Sequence, residues 1–369
     1  MANPRQFIKM ARWRKIRRAA LMILLLCIGL GLIYPAYADG FDSIFPFING
    51  ILIGLIGGTI IFLFEFYVFW NSNRRLNFIP LIIVKVLTYS FVFVLLIISV
   101  LMISRGIQYD YHGFSEMVNN PEFKHFLFEE DLQIILTYTL LFTFIIIFTK
   151  EISRKLGRDE LTNFITGKYY HPRREERIFM FLDLNDSTTI AEKLNALEFH
   201  TFVNNFFKDI SESILFTKGE IYQYVGDEVI ISWTMKNGIR DANCIYTYLY
   251  AKQSIERVSE SYLNKFGIVP KFKAALHCGN VMRGEVGSIK SEIVFHGDVM
   301  NTTARIEGLC NTLKESLLVS NDLYQTFPLQ TRDHFILIGE FELKGKENKM
   351  KIYALKDSTL NYLNNIESV

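Results

Sequence analysis

Ile178-Phe-Met-Phe-Leu-Asp183-Leu184-Asn-Asp-Ser-Thr-Thr189 and Ile221-Tyr-Gln-Tyr-Val-Gly226-Asp227-Glu-Val-Ile-Ile-Ser-Trp233 carry two aspartates 44 positions apart. The first stretch is an apolar run that ends at Asp183 and opens onto a helix-capping cluster. In the second, Gly-Asp separates two runs of β-branched and aromatic residues, as a hairpin turn does. If the two strands are neighbours, both carboxylates converge on one edge of a sheet. That geometry suits a pair of Mg²⁺ ions, hard cations that take few carboxylates and fill their shells with substrate phosphates. Read singly, Asp183 is equally a helix cap and Asp227 a turn residue. The decision falls to residues further along.

Phe295-His-Gly-Asp-Val-Met-Asn301-Thr-Thr-Ala-Arg305-Ile-Glu-Gly308 sets Asn301 and Arg305 four apart, on one face of a helix. An amide and a guanidinium presented together suit a ribose oxygen and a phosphate whose charge grows in a transition state. Gly339-Glu-Phe-Glu-Leu-Lys344-Gly345-Lys346 places a lysine beside glycine after a strand, suited to a terminal phosphate. His277 and His296 each stand alone in strand-like runs and read as core or edge histidines rather than metal ligands. Strands are expected at 177–184, 219–225, 228–233, 271–281, 293–298 and 335–342, and helices at 188–216, 241–265 and 299–314. The arrangement is α+β, with mostly antiparallel strands and helices on one face.

The chain of 369 residues is 50% hydrophobic, too apolar for an ordinary soluble protein of this size. The excess lies in four segments of the first 150 residues, at about 19–34, 48–70, 78–104 and 132–149. The later three are long enough to span a bilayer. The first follows Arg12-Trp-Arg-Lys-Ile-Arg-Arg18 and ends in Ala36-Tyr37-Ala38, which suits a cleaved signal peptide or, on our reading, an uncleaved anchor. Arg74, Arg75, Lys150, Arg154, Lys155 and Arg158 flank the segments on one side, and the loop 105–131 is acidic, so the part after residue 149 is expected in the cytosol. Gly50, Gly54 and Gly58 make consecutive small-xxx-small steps, and Glu65 and Lys85 are placed to pair near the ends of antiparallel neighbours. From 150 to 168 the fourth span is expected to continue as a helix bearing Ile152, Leu156, Leu161, Phe164 and Ile165, before a short connector. Net charge is +2 and no basic-aromatic groove is visible, so no nucleic-acid partner is expected. Cys27, Cys244, Cys278 and Cys310 show no CxxC spacing and read as free thiols.

Taken together, the Asp183 strand, the Gly226-Asp227 hairpin, the Asn301-to-Arg305 helix and Leu343-Lys344-Gly345 resemble the class III nucleotide cyclases, over about residues 177–355. The resemblance implies a ferredoxin-like cyclase domain at 177–357, behind a four-span membrane region at 1–149 and a helical linker at 150–176, with a tail at 358–369. It implies two Mg²⁺ (or Mn²⁺) per active site held by Asp183, Leu184 and Asp227, and Asn301 and Arg305 as the catalytic groups. It places Gln223, Val294, Lys273, Lys344, Ser187 and Thr188 on the substrate, with Lys346 able to replace Lys344. It also implies a homodimer whose sites take the aspartates from one subunit and Asn301 and Arg305 from the other.

The chain departs from the family's pattern at several of these positions. Lys273 stands for the family's triphosphate arginine, so a bidentate fork becomes a point charge. Adenylate cyclases usually carry Lys at the Gln223 position and Asp or Thr at the Val294 position, and guanylate cyclases carry Glu at the first. Glutamine can donate and accept; valine offers no hydrogen bond. Asp186 replaces a phosphate-loop glycine, and a capping role would turn its charge away. The expected activity is that of a membrane-anchored cyclase making a 3′,5′-cyclic nucleotide and pyrophosphate, with ATP preferred. GTP or a pyrimidine triphosphate as substrate remains open, as does a cyclase fold that signals by dimerising without turnover. A diguanylate-cyclase reading rests on Gly226-Asp227-Glu228 alone and ranks last.

Overall fold

Long uninterrupted apolar runs in the first part of the chain satisfy every backbone group internally by coiling into helices. A computed structural model describes residues 16–17, 20–33, 36, 44–69, 77–109, 119, 121, 131–157, 160–346 and 348–356. The chain divides into two compact units, Pro4–Leu156 and Gly157–Val369. The first unit holds α1 (Ala20–Ile33), α2 (Phe45–Leu63), α3 (Phe78–Tyr109) and α4 (Asp131–Leu156). Three helical stretches, Phe45–Val68, Phe78–Ser104 and Leu136–Leu156, are long and apolar enough to cross a membrane; α1 is shorter. Most of the basic run 12–18, Tyr37-Ala38, Arg74-Arg75, most of the acidic loop, Arg158 and the tail 358–369 lie outside the described residues.

The three glycines of α2 do form a close helix contact. A Cβ on Gly50 would come within 2.1 Å of the Gly31 carbonyl oxygen, and one on Gly54 within 2.5 Å of Ile28 Cα. Lys85 is fully buried and bonds Glu65 at 3.1 Å, as its spacing foretold. It also bonds Glu151 of α4 at 2.9 Å, and Lys150 meets Glu65 at 3.0 Å. Glu65 is carried on a π-helical turn, Phe64–Val68, that continues α2.

The second unit opens with α5 (Glu160–Ile165). Then follow β1 (Arg173–Leu184), α6 (Ser187–Lys193), α7 (Ala196–Phe216), β2 (Glu220–Val225), β3 (Glu228–Thr234), α8 (Asn243–Arg257), α9 (Ser259–Phe266), β4 (Phe272–Val286), β5 (Glu292–His296), α10 (Asp298–Leu313), β6 (Leu317–Ser320), β7 (Phe335–Phe341) and β8 (Met350–Leu355). The sheet runs β2-β3-β1-β4-β6-β8-β7, with β5 added on β4. Every pairing is antiparallel except β4 with β6.

Helices cover both faces of this sheet, not one. Ile178, Met180 and Leu182 of β1 pack with Phe202, Phe206 and Ile210 of α7 and Tyr248 of α8. Phe179 and Phe181 face the other way, toward Phe295 of β5 and Val299 of α10. The reason lies in β1 itself: Ile178 to Leu182 is continuously apolar rather than alternating, so both faces of the strand need cover. The expected helix 188–216 is broken at Asn195, which caps α7 through a reciprocal box with Glu198. The helix expected to run on past residue 149 stops at Leu156, before Gly157 at φ +108°.

Candidate active site

β1 lies between β3 and β4, and the register sets Asp183 opposite Glu228 on one side and Lys273 on the other. Directly opposed residues of antiparallel strands share a face. The Gly226-Asp227 turn, with Gly226 at φ +64°, closes the β2–β3 hairpin beside the end of β1. Asp183 shares an ammonium with Glu307 of α10 and feels the nearby charge of Asp227. Burial raises the Asp183 carboxyl, the Lys273 contacts oppose this, and Asp227 and Glu307 add to it. Glu228 is pushed up to about 7 by burial and by Asp183, Glu307 and Asp227. Such mutual repulsion is relieved by a cation.

Lys273 Nζ donates to Asp183 Oδ2 at 2.8 Å and lies 3.1 Å from Glu307 Oε1. Burial alone would depress its pKa, but these two carboxylates raise it. Lys273 was expected on the triphosphate; its ammonium pairs with the carboxylates of Asp183 and Glu307. Glu307 is a residue that sequence reasoning missed. Its only signal was an acid two positions beyond Arg305.

Asp227 Oδ2 is a buried acceptor without a hydrogen-bond partner, and Arg305 Nη1 a buried donor without one. An orphaned carboxylate oxygen suits a hard cation, and an orphaned guanidinium N–H suits an anion. Among the described residues no group of three or more His, Cys, Asp or Glu side chains forms a ligand cage. A divalent ion that shares its shell between carboxylates and phosphates needs none. The donor set therefore fits Mg²⁺ or Mn²⁺ on Asp183 and Asp227. The Leu184 side chain is buried in the core, leaving its carbonyl as the group it could offer.

Asn301 is exposed and Arg305 half-buried on α10, where a Cβ on Gly345 would lie 3.5 Å from Arg305 Nη2. Lys344 is exposed beside that glycine, and Lys346 pairs with Asp298 at the start of α10. Asn301 and Arg305 share a face, one turn apart. Glu307 lies two residues past Arg305, about 200° round the helix. Glu307 reaches Lys273, so Asn301 and Arg305 leave α10 on other sides than the one that meets the lysine. Within one chain the structure brings Asp183, Asp227 and Lys273 together, with Glu307 of α10 on the lysine.

Gln223 is exposed and opposes Ile230 across a bulge at Tyr222, whose hydroxyl accepts from Phe295 N at 3.4 Å. Val294 is half-buried on β5, opposite Gly284. Ser187 and Thr188 open α6, where first-turn N–H groups lack helical partners. Beside them, the buried Asn185 Oδ1 has no partner. Asp186 precedes α6 at φ 55°, ψ 29°, and its side chain caps nothing, so the capping role expected of it is not met. His277 is buried, its Nδ1 2.8 Å from Ser320 Oγ, and burial lowers it to about 4; it is a satisfied core histidine. All four cysteines are unpaired and buried.

A family model described as the adenylate and guanylate cyclase catalytic domain matches residues 169–357. The chain is 36% identical over 228 residues to adenylate cyclase 2 of Rhizobium meliloti (strain 1021), covering 61% of this chain and 62% of that one. It is 25% identical over 191 residues to an adenylate cyclase of Anabaena cylindrica, covering 48% of this chain and 36% of that one. The chain thus spans under two thirds of either relative. Among solved structures, a bacterial light-regulated adenylyl cyclase superposes with a TM-score of 0.52 at 22% identity, covering 66% of this chain and 72% of that chain, and shares the fold.

Proposed function

The chain belongs to the adenylate and guanylate cyclase catalytic-domain family, and on that premise we propose that it is a membrane-anchored nucleotide cyclase. It converts a nucleoside triphosphate, ATP by preference, to the 3′,5′-cyclic nucleotide and pyrophosphate for intracellular signalling, with the cyclase unit on the cytoplasmic side. The observation that carries this reading is the pairing of Asp183 with an unsatisfied Asp227 oxygen, beside a helix bearing an unsatisfied Arg305.

Asp183 and Asp227, with the Leu184 carbonyl, would hold two Mg²⁺ or Mn²⁺ ions. When bound, these ions activate the ribose 3′-hydroxyl and neutralise triphosphate charge. Asn301 orients the ribose, and Arg305 faces the phosphate on which charge grows. Lys273 and Lys344 add positive charge along the triphosphate, and Ser187 and Thr188 present donors to it. Gln223 and Val294 line the base. Gln223 can present its amide oxygen to the adenine amino group, whereas Val294 offers it nothing, so discrimination is loose and GTP or a pyrimidine triphosphate reacts measurably. The separation of Arg305 from Glu307 around α10 supports a homodimer whose sites are shared, because Glu307 is the α10 side chain that meets Lys273 beside Asp183.

Asp186, a negative charge at a strained position beside the phosphate loop, favours the second reading, a cyclase fold that signals by dimerising alone. One assay separates the two. The full chain in lipid is incubated with Mg²⁺ or Mn²⁺ and each of ATP, GTP, CTP and UTP, and products are resolved by chromatography. Cyclic AMP as the main product, lost in Asp183→Ala and Asp227→Ala proteins of native stability, is the expected result. No cyclic product from any of the four would leave the dimerisation reading.

A further inference from the structure

Asp183 is paired with a cation of the protein's own, the Lys273 ammonium. The Lys273 side chain is 9% exposed, and its ammonium is shared between Asp183 at 2.8 Å and Glu307 at 3.1 Å. Glu307 itself is 14% exposed. It lies off a full hydrogen-bonding line to Lys273 and so has acceptor capacity unused. A divalent ion on Asp183 and an ammonium on the same carboxylate repel each other at such range. One must yield. A buried ammonium with no carboxylate is costly, and lysine's four-carbon stem lets it swing a short way to a second partner.

We propose that Glu307 is a positioning residue that sets, through Lys273, how readily Asp183 takes a divalent cation. Lys273 neutralises Asp183 when no metal is bound, and Glu307, already on the same ammonium, keeps it when a metal takes its place on Asp183. The proposal rests on the metal reading of Asp183 and Asp227. The register of β1 with β4 fixes the lysine's root opposite Asp183, and the turn of α10 fixes Glu307 on the face away from Arg305. Both the donor and the receiver of the ammonium therefore sit on regular elements, which hold their distances better than a loop would.

The test is a double-substitution cycle read by Mn²⁺ binding alone, without nucleotide. Free Mn²⁺ is followed by electron paramagnetic resonance with the full chain in lipid nanodiscs, and the site-specific part is the binding lost in Asp183→Asn. Lys273→Met should tighten Mn²⁺. Glu307→Gln should weaken it about tenfold, or about 1.4 kcal/mol. Glu307→Asp keeps the charge but withdraws the carboxylate by one methylene, and it should weaken Mn²⁺ nearly as much. In the Lys273→Met background, Glu307→Gln should shift binding by less than about twofold, because the residue it serves is gone. An equal loss in both backgrounds would show that Glu307 acts by its own charge and would overturn the proposal, as would native binding in Glu307→Gln. If Asp183→Asn leaves Mn²⁺ binding unchanged, the metal reading falls as well, so the two failures are told apart.

Discussion

At the scale of single residues, Asp186 is where local chemistry and function conflict most openly. Its φ of 55° lies in the left-handed region, which costs an L-residue about 1 kcal/mol and glycine nothing. Aspartate tolerates the conformation better than most side chains, but here its carboxylate forms no cap bond in return. Substitution by Gly should raise stability by up to about 1 kcal/mol, and substitution by Asn should remove the charge while keeping a residue that tolerates this backbone. If the carboxylate opposes the triphosphate, both variants gain about fivefold in kcat/KM for ATP, the worth of about 1 kcal/mol of like-charge repulsion. Steady-state kinetics decide it: an Asn variant with native kcat/KM would mean the charge points away from substrate. The sequence let the helix-capping composition of this stretch be read, but not the backbone conformation. Composition at a cap position does not say whether the side chain or only the main chain is used. Lys273 teaches the same lesson, since its position on β4 was legible and its partner Glu307, 34 residues on, was not.

At the scale of elements, one guanidinium holds α5 to the sheet. Arg283 of β4 donates to Glu160 of α5 at 2.6 Å and to the Tyr169 hydroxyl at 3.2 Å. It stacks over the rings of Tyr169 at 4.4 Å and Phe295 at 4.9 Å. Arg177 meets the same Phe295 ring at 5.1 Å and pairs with Glu175 and Glu220. Phe295 lies just before α10, so this aromatic centre supports both the linker helix and the strand that leads into the Asn301 helix. Arg283→Met keeps much of the packing but strands Glu160, and should cost about 3 kcal/mol, the range for breaking a buried ion pair. Glu160→Gln keeps a hydrogen bond to Arg283 and should cost about 1 kcal/mol. Thermal melting, together with the rate of proteolysis within residues 157–171, ranks the two. Equal losses would mean that the guanidinium's stacking contributes little. The long strands β1, β3 and β4 were legible because their apolar runs are dense. β6 and β8 were not expected: β6 has only four residues and gains its place by pairing with distant β4 and with β8, and β8 lies between β7 and β6. The break at Asn195 was readable in Asn195-Ala-Leu-Glu198, a capping box overridden by the longer helical period around it.

At the scale of the whole molecule, each unit carries its own buried charge cluster. In the membrane-type unit the Glu65–Lys85 pair was legible from two facing charges in apolar runs, whereas Glu151 joined it from 66 residues away. In the cyclase unit the carboxylates that suit metal and the Asn301–Arg305 pair were both legible. Their division between two subunits was implied by the family resemblance alone, because the residues do not reveal the rotation of α10 about its axis. That rotation leads to the last prediction. If each active site takes Asp183 and Asp227 from one subunit and Asn301 and Arg305 from the other, a chain lacking Arg305 and a chain lacking Asp227 fail for different reasons. A homodimer of Asp227→Ala has no complete metal pair, and a homodimer of Arg305→Ala has no transition-state guanidinium. In a heterodimer one site combines both lesions and the other has every group. Mixed in equal amounts and exchanged freely, half of the dimers are mixed and each carries one intact site of two. The mixture should therefore recover about a quarter of native kcat, while either variant alone stays about a thousandfold or more below it. The two proteins, carrying different affinity tags, are co-expressed in one membrane, purified through both tags in turn and assayed with ATP and Mn²⁺. Tandem purification enriches the heterodimer, so recovery should rise to about half of native activity. Doubly tagged dimers as inactive as their parents would place all four groups in one chain, and α10 would then have to turn by about half a revolution from the orientation that sets Glu307 against Lys273.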